Sequence, residues 1–470
     1  MSTRMHSYPS PASSEKEKHL KKKETQQQYL KLINPKHFKY PLFLFAFLCI
    51  WLLLLFFCFP QPSKTLSPPK TYNHTKWTPQ SSPLPTCDGG ASVYVYELPP
   101  KFNRGLLRHC RHLNVYTDMC PHVTNAGLGQ PLSTSAWFAT HQFIAEMIFH
   151  ARLENHPCRT RDPRRASLFY VPFYGGLHAS SKFRESDLAA RDALAVELAE
   201  YLRRQDWWRR RHGKDHFLVL GRTAWDFMRS PGGPDFGANN LLMLPPVRNI
   251  SVLTVERHPW RGSNQHGIPY PSYFHPSTWE EMSTWQDRVR RADRIHLFSF
   301  VGAPRVGVEK AAIRDEIMRQ CAESIRCELV KCGKGASKCY EPEEVVKVMM
   351  RSEFCLQAPG DSFTRRSTFD SVLAGCIPVF FSPHTAYSQY AWFLPSDGSE
   401  YSVYIDGTGN GRRIEEELRL IPAERVERMR RRVVDLIPRV TYAHPNATRS
   451  GFLDAVDVGL AALSNHVQFS

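Results

Sequence analysis

The chain has 470 residues, 42% of them hydrophobic and 12% aromatic, which suits about two domains with cores of their own and excludes a disordered polymer. Its formal charge of +16 is uneven: residues 1–39 hold nine Lys or Arg against three Glu, and further basic runs stand at 203–211 and 428–432. Both later runs read as solvated helix faces, since only Trp207 and Trp208 offer the interleaved aromatics of a nucleic-acid groove, and no nucleic-acid partner is expected.

Behind the basic tail (1–41) come eighteen residues, 42–59, without a charged or strongly polar side chain, close to the roughly 20 needed to cross a bilayer. Lys31, Lys36 and Lys39 flank this run on one side and Lys64 is the first on the other, which puts the N-terminus in the cytosol and the bulk of the chain in a lumen. Phe56, Phe57 and Phe59 stand where a cleavage site would need small residues, so the run is expected to stay as a signal anchor. Residues 60–86, with seven Pro and many Ser and Thr, cannot bury enough surface to fold and read as an extended stem. Ten of the twelve Cys and all three glycosylation sequons, at Asn73, Asn249 and Asn446, follow the anchor, in keeping with an oxidising, glycosylating compartment.

After Cys87, the alternating octet 91–98 predicts a first strand and the periodicity of 137–153 a helix. Strand patterns follow at 167–173, 216–221 and 250–256, with one long helix over 187–211 between the first two. A second round opens with a strand at 295–301 and a helix at 309–321. Strands at 354–357 and 377–381 then enclose a Gly turn and a helix over 368–373. The expectation is an α/β chain with two Rossmann-like domains, 87–290 and 291–470, whose ligands bind beyond the carboxyl ends of the strands.

The stretch from Phe354 to Phe381 carries the most chemistry. Gly360 allows a tight turn, Ser362 and Thr364 offer hydroxyls, Arg365 and Arg366 suit a diphosphate, and Asp370 suits ribose hydroxyls. The same Arg365, Arg366 and Asp370 could equally form an ion-pair network that caps the helix. No Asp-x-Asp stands in a loop after a strand, so no metal site is expected and cationic side chains would have to neutralise a leaving diphosphate.

This stretch resembles the nucleotide-sugar signature of the exostosin-like glycosyltransferases, family 47, and is closest to the plant xyloglucan galactosyltransferase branch. Tyr94-Val-Tyr-Glu-Leu-Pro-Pro-Lys-Phe-Asn103, Asn125-Ala-Gly-Leu-Gly129, Trp137-Phe-Ala-Thr-His-Gln-Phe143, 215–227, 267–276 and Leu297-Phe-Ser-Phe-Val-Gly-Ala-Pro-Arg305 resemble that branch in the same order. The short tail, single span, stem and large lumenal part are likewise similar in layout to Golgi glycosyltransferases. The resemblance implies a GT-B-like fold and inverting, metal-independent transfer of galactose from UDP-galactose to xylosyl side chains of xyloglucan. UDP would lie on Arg305, Arg365 and Arg366, with Asp370 near the ribose. It implies no cofactor, a Golgi membrane location, and complexes with other Golgi glycosyltransferases as further partners. Other readings are a relative using UDP-galacturonic acid, UDP-arabinopyranose or a mannan acceptor, and a catalytically silent glycan-binding scaffold.

An inverting transfer needs a general base from the first half. Glu256 and His258 follow one strand pattern and Glu97 another, and the residues leave the choice among them open. Cys321, Cys327, Cys332 and Cys339 are spaced for disulfides rather than zinc, while Cys355 and Cys376 read as buried thiols. Trp260, Trp279 and Trp285 suit either core packing or stacking on acceptor sugars.

Overall fold

The computed structural model describes residues 92–132, 136–230, 236–333, 339, 341–407, 413–447 and 450–468. The tail, anchor and stem (1–86) and the sequon at Asn73 lie outside the described residues. Among the described residues no helix is long and apolar enough to cross a membrane.

The first half places β1 (Val93–Val95), α1 (Ala145–Glu154), β2 (Arg159–Thr160), β3 (Leu168–Val171), α2 (Gly175–Lys182), α3 (Leu188–Arg203), α4 (Asp206–Arg211), β4 (His216–Thr223), β5 (Ser251–Glu256), β6 (Gln265–Gly267) and α5 (Trp279–Arg290) in chain order. Its six strands pair in the order β2-β1-β3-β4-β5-β6, every pair parallel. The second half contributes β7 (His296–Gly302), α6 (Ile313–Glu323), β8 (Cys327–Lys331), α7 (Pro342–Met350), β9 (Ser352–Gln357), α8 (Arg366–Leu373), β10 (Ile377–Phe380), β11 (Val403–Tyr404), α9 (Ile414–Arg419), α10 (Ala423–Val440) and α11 (Ala455–Gln468). Its order is β11-β10-β9-β7-β8, again all parallel.

The two sheets share one plan. In each, the second strand lies outside the first and the third lies on its other side, so the strand order reverses at β1/β3 and at β7/β9. Ligands collect at such reversals, beyond the strand ends. Strands β3 and β5 are buried at every residue, as are the first six residues of β4, because helices cover both faces of a parallel sheet and leave no polar side to alternate with.

The segment around α11 returns to the first half. Arg152 of α1 meets Asp454 at 2.9 Å, with both side chains buried, and His275 Nδ1 lies 2.9 Å from the Tyr442 carbonyl. Trp285 of α5 is buried against Trp137, 4.8 Å between rings, and so belongs to the core, whereas Trp279 is 42% exposed.

Three expectations are corrected. The helix expected over 137–153 begins only at Ala145, because Trp137 and Phe138 form β-bridges with Phe274 and Pro131. The helix expected over 187–211 is two helices, because Gln205 turns extended (φ −80°, ψ 135°). The break lets Trp207 stack on Phe169 and Arg210 reach Asp215 at 2.9 Å. Cys355 and Cys376 are not thiols but a disulfide between the paired strand β9 and the start of β10. Cys110–Cys120, Cys321–Cys327 and Cys332–Cys339 are also bonded.

Candidate active site

Beyond the carboxyl ends of β7 and β9 run two loops, Ala303-Pro304-Arg305 and 358–365. Arg314 of α6 spaces them, donating to the carbonyls of Pro359 (2.6 Å), Ala303 (2.9 Å) and Ala358 (3.0 Å). Burial, with Arg365 and Arg305 nearby, lowers its pKa to about 10, which leaves it charged. The second loop turns at Gly360, whose N–H reaches the Ser362 carbonyl at 2.9 Å. A Cβ at Gly360 would collide with the Arg365 guanidinium, so glycine is what lets that side chain lie across the turn.

The first half fastens this loop from the other side. Glu256, the last residue of β5, is buried. Its Oε1 accepts from Trp225 Nε1 (3.0 Å) and its Oε2 from the Thr364 N–H (2.8 Å) and the Thr364 hydroxyl. Tyr270 Oη lies 3.0 Å from the same hydroxyl. Ser272 donates to Asp370 Oδ1 at 2.6 Å. Arg366 lies over the Tyr273 ring at 4.2 Å, donates to the Tyr273 hydroxyl, and approaches Asp370 Oδ2 at 3.4 Å. Burial pushes the Asp370 carboxyl above its ordinary pKa, with Arg366 and Ser272 pulling the other way. Arg366 and Asp370 therefore do form the local ion pair weighed from the sequence; Arg365 stays out of it.

Between the halves lies a cavity of about 870 Å³. Its walls include His141, Phe143, Arg222, Trp225, Asp226, Phe236 and Tyr270 from the first half. Arg305, Lys310, Arg314, Asp361, Ser362, Thr364, Arg365, Arg366 and Asp370 come from the second. Among the described residues the lining holds six Lys or Arg against three Asp, a cationic field that suits an anionic ligand. Arg305 meets Asp361 at 3.1 Å. Arg365 donates from Nη1 to the Thr364 carbonyl at 3.1 Å, while its Nη2 is buried without a hydrogen-bond partner, and burial lowers its pKa.

The structure thus brings Arg305, Ser362, Thr364, Arg365, Arg366 and Asp370 to one cavity, with Gly360 shaping its wall. Glu256, His258 and Glu97 are not among the described residues lining it. Both Glu256 oxygens face the clasp. His258 is buried, accepts from the N–H groups of Trp260 and Arg261 at Nδ1, and packs 4.1 Å from the Trp225 ring. Glu97 is exposed beside Tyr94 and Tyr201.

Sequence reasoning missed Asp226 and His141. Asp226 Oδ2 accepts from Arg222 Nε (2.8 Å) and Thr223 Oγ1 (3.0 Å), three residues past β4. The available signal was a carboxylate just beyond the carboxyl end of a buried parallel strand. His141 is held neutral, its pKa pushed to about 3 by burial and by His122, Arg366 and Arg222. Its Nδ1 accepts from the Phe143 N–H at 3.2 Å, so the neutral ring carries its proton on Nε2. Asn249 and Asn446 are exposed, as a glycan acceptor must be.

The family model described as Exostosin GT47 domain matches residues 87–410. The chain is similar to the Arabidopsis thaliana protein named Probable xyloglucan galactosyltransferase GT17, 61% identical over 406 residues, 86% of this chain and 88% of that one. It is also similar to Xyloglucan galactosyltransferase MUR3 of the same plant, 45% identical over 390 residues, 81% of this chain and 62% of that one. Among solved structures, that of the GtfA/B complex aligns over 56% of this chain and 61% of that one with 12% identity and a TM-score of 0.26, too slight a likeness to bear on the fold.

Proposed function

The chain belongs to the exostosin GT47 family and is a glycosyltransferase, and from that premise we propose that it transfers galactose from UDP-galactose to xylosyl side chains of xyloglucan. Both plant relatives carry the name xyloglucan galactosyltransferase, which supports this donor and acceptor. Two parallel sheets facing one cavity support a GT-B-like arrangement.

The observation that carries the mechanism is Arg365 Nη2, a buried donor without an acceptor in a cationic wall. Such a group costs about 1–3 kcal/mol if left unpaired, and a diphosphate oxygen satisfies it with a charge-assisted bond. Arg365, Arg305 and Lys310 then take up the charge of departing UDP without a required metal ion. Ser362 adds a hydroxyl beside Arg365, at 3.4 Å from Nη1. Asp370 meets the ribose, held in place by Arg366 and Ser272. Thr364 and Glu256 position the loop rather than touch the sugar.

Asp226 is the base in this account. It takes the proton of the acceptor hydroxyl; the freed oxygen attacks the anomeric carbon from the opposite face. The bond from that carbon to the β-phosphate oxygen breaks, its electrons leave with UDP, and the configuration inverts.

The enzyme works in the Golgi lumen behind a single type II anchor at 42–59. Four disulfides among the described cysteines support an oxidising compartment.

The test offers UDP-galactose, UDP-galacturonic acid and UDP-arabinopyranose, each with xyloglucan or mannan oligomers, to the detergent-solubilised full-length chain. Products are read by mass, with and without EDTA. The expected product is xyloglucan carrying one added hexose from UDP-galactose, EDTA included. Transfer only from another donor, only to mannan, not at all, or only with added metal contradicts the proposal.

A further inference from the structure

Aromatic side chains that the transfer chemistry does not use stand in one wall of the cavity and against it. Trp225 lines the cavity, and its bond to Glu256 fixes the ring. Phe236 meets Trp225 edge-on at 6.4 Å and is 59% exposed. Trp260 meets it edge-on at 6.3 Å and is 64% exposed. From Trp260 the strip continues across to the second half, reaching His384 at 5.3 Å and Phe363 of the donor loop at 6.1 Å. Tyr116, 76% exposed, lines the same cavity. Two large exposed apolar side chains, Tyr116 and Phe236, thus line the cavity, and a third, Trp260, packs against Trp225 of its wall. Scattered exposed apolar residues need no explanation, but a contiguous exposed patch marks a binding surface.

We propose that Trp225, Trp260 and Phe236 form a platform for the β-linked glucan chain of the acceptor, resting on the galactosyl-transfer reading above. Continuity with the cavity decides the occupant. A pyranose ring presents a flat face of C–H groups that fits an indole, and a rim of hydroxyls that needs polar neighbours. Here Trp225 shares the cavity wall with Asp226 and Arg222, and the imidazoles of His258 and His384 pack against Trp225 and Trp260. A stiff glucan backbone lying over Trp260 carries its xylosyl branch inward past Trp225 toward Asp226. Trp225 is a positioning residue through its bond to Glu256, whereas Trp260 contributes through stacking alone.

The experiment compares the full-length chain with Trp260→Ala, Trp260→Phe and Phe236→Ala. Acceptor and donor KM are measured on xyloglucan oligosaccharides lacking galactose, and affinity for the same oligosaccharides is measured by calorimetry without donor. The expected result for Trp260→Ala is an acceptor KM and Kd raised about tenfold, the size of one lost ring stack. The UDP-galactose KM and Tm stay close to wild type, and Phe restores part of the loss. Unchanged acceptor affinity, or donor KM rising in step with acceptor KM, overturns the platform. If the wild-type chain binds the oligosaccharide but transfers no galactose, the donor and acceptor assignment fails while calorimetry still decides the platform, since Trp260→Ala either loses that binding or keeps it.

Discussion

Glu256 Oε2 accepts a hydrogen bond from the Thr364 N–H at 2.8 Å, so the last residue of a first-sheet strand holds the loop that presents Arg365. The residues are 108 positions apart. The clasp makes the donor site a property of both halves, since Tyr270, Ser272 and Tyr273 fasten the same segment.

Glu256→Ala removes one carboxylate that serves three donors, leaving the buried Thr364 N–H and the half-buried Trp225 indole without that acceptor. It is expected to destabilise the fold by about 3 kcal/mol and to weaken UDP binding at the same time. Thermal unfolding with UDP titration checks this. A base would behave differently, with kcat lost while UDP affinity and Tm are kept, and that outcome would return Glu256 to the catalytic role.

Asp226→Asn is expected to show that second pattern. The amide keeps an oxygen for Arg222 and Thr223 but cannot take a proton. The loss of kcat should be about 10²–10⁴-fold, with UDP affinity unchanged within a few-fold. A variant retaining more than a tenth of wild-type kcat places the base elsewhere.

Burial lowers the pKa of His178 and of His275 to about 4 from an ordinary 6.5. Above about 6.5 both are neutral in the folded and the unfolded chain, and they leave stability unaffected by pH. Below it the unfolded chain takes up protons that the folded chain refuses, so stability falls between about pH 6.5 and 4, by at most about 3 kcal/mol for each. Urea midpoints across that window should decline. His178 Nδ1 is buried without a partner, so His178→Leu should flatten the decline at little cost near neutral pH. An unflattened slope in that variant assigns the acid sensitivity to other groups.

Much of this was legible in the residues. Strands β3, β4, β5, β7, β9 and β10 announced themselves as short apolar runs, because a strand buried on both faces must be continuously apolar. The donor loop was legible because glycine, hydroxyls and arginines crowd between two such runs. What escaped depends on distance in the chain. The Glu256–Thr364 clasp and the Arg366–Tyr273 contact join positions with no local signature of partnership. The break at Gln205 has no Gly or Pro to mark it; tertiary contacts of Trp207 and Arg210 accompany it. Cys355 and Cys376 read as thiols because parallel neighbours stand 21 positions apart with a helix between them. Asp226 has no motif around it, and its contact with Arg222, at the end of β4, shows only in the structure.

The central claim is that Nη2 of the Arg365 guanidinium is kept buried and unpaired for the diphosphate of UDP. Its most direct test is UDP affinity and Tm of the full-length chain against Arg365→Met, in EDTA. Met fills the volume and removes the unpartnered donor. The account predicts UDP affinity lowered at least tenfold, the worth of about one charge-assisted hydrogen bond, with Tm equal to or above that of the wild type. UDP bound as tightly by Arg365→Met as by the wild type would contradict it.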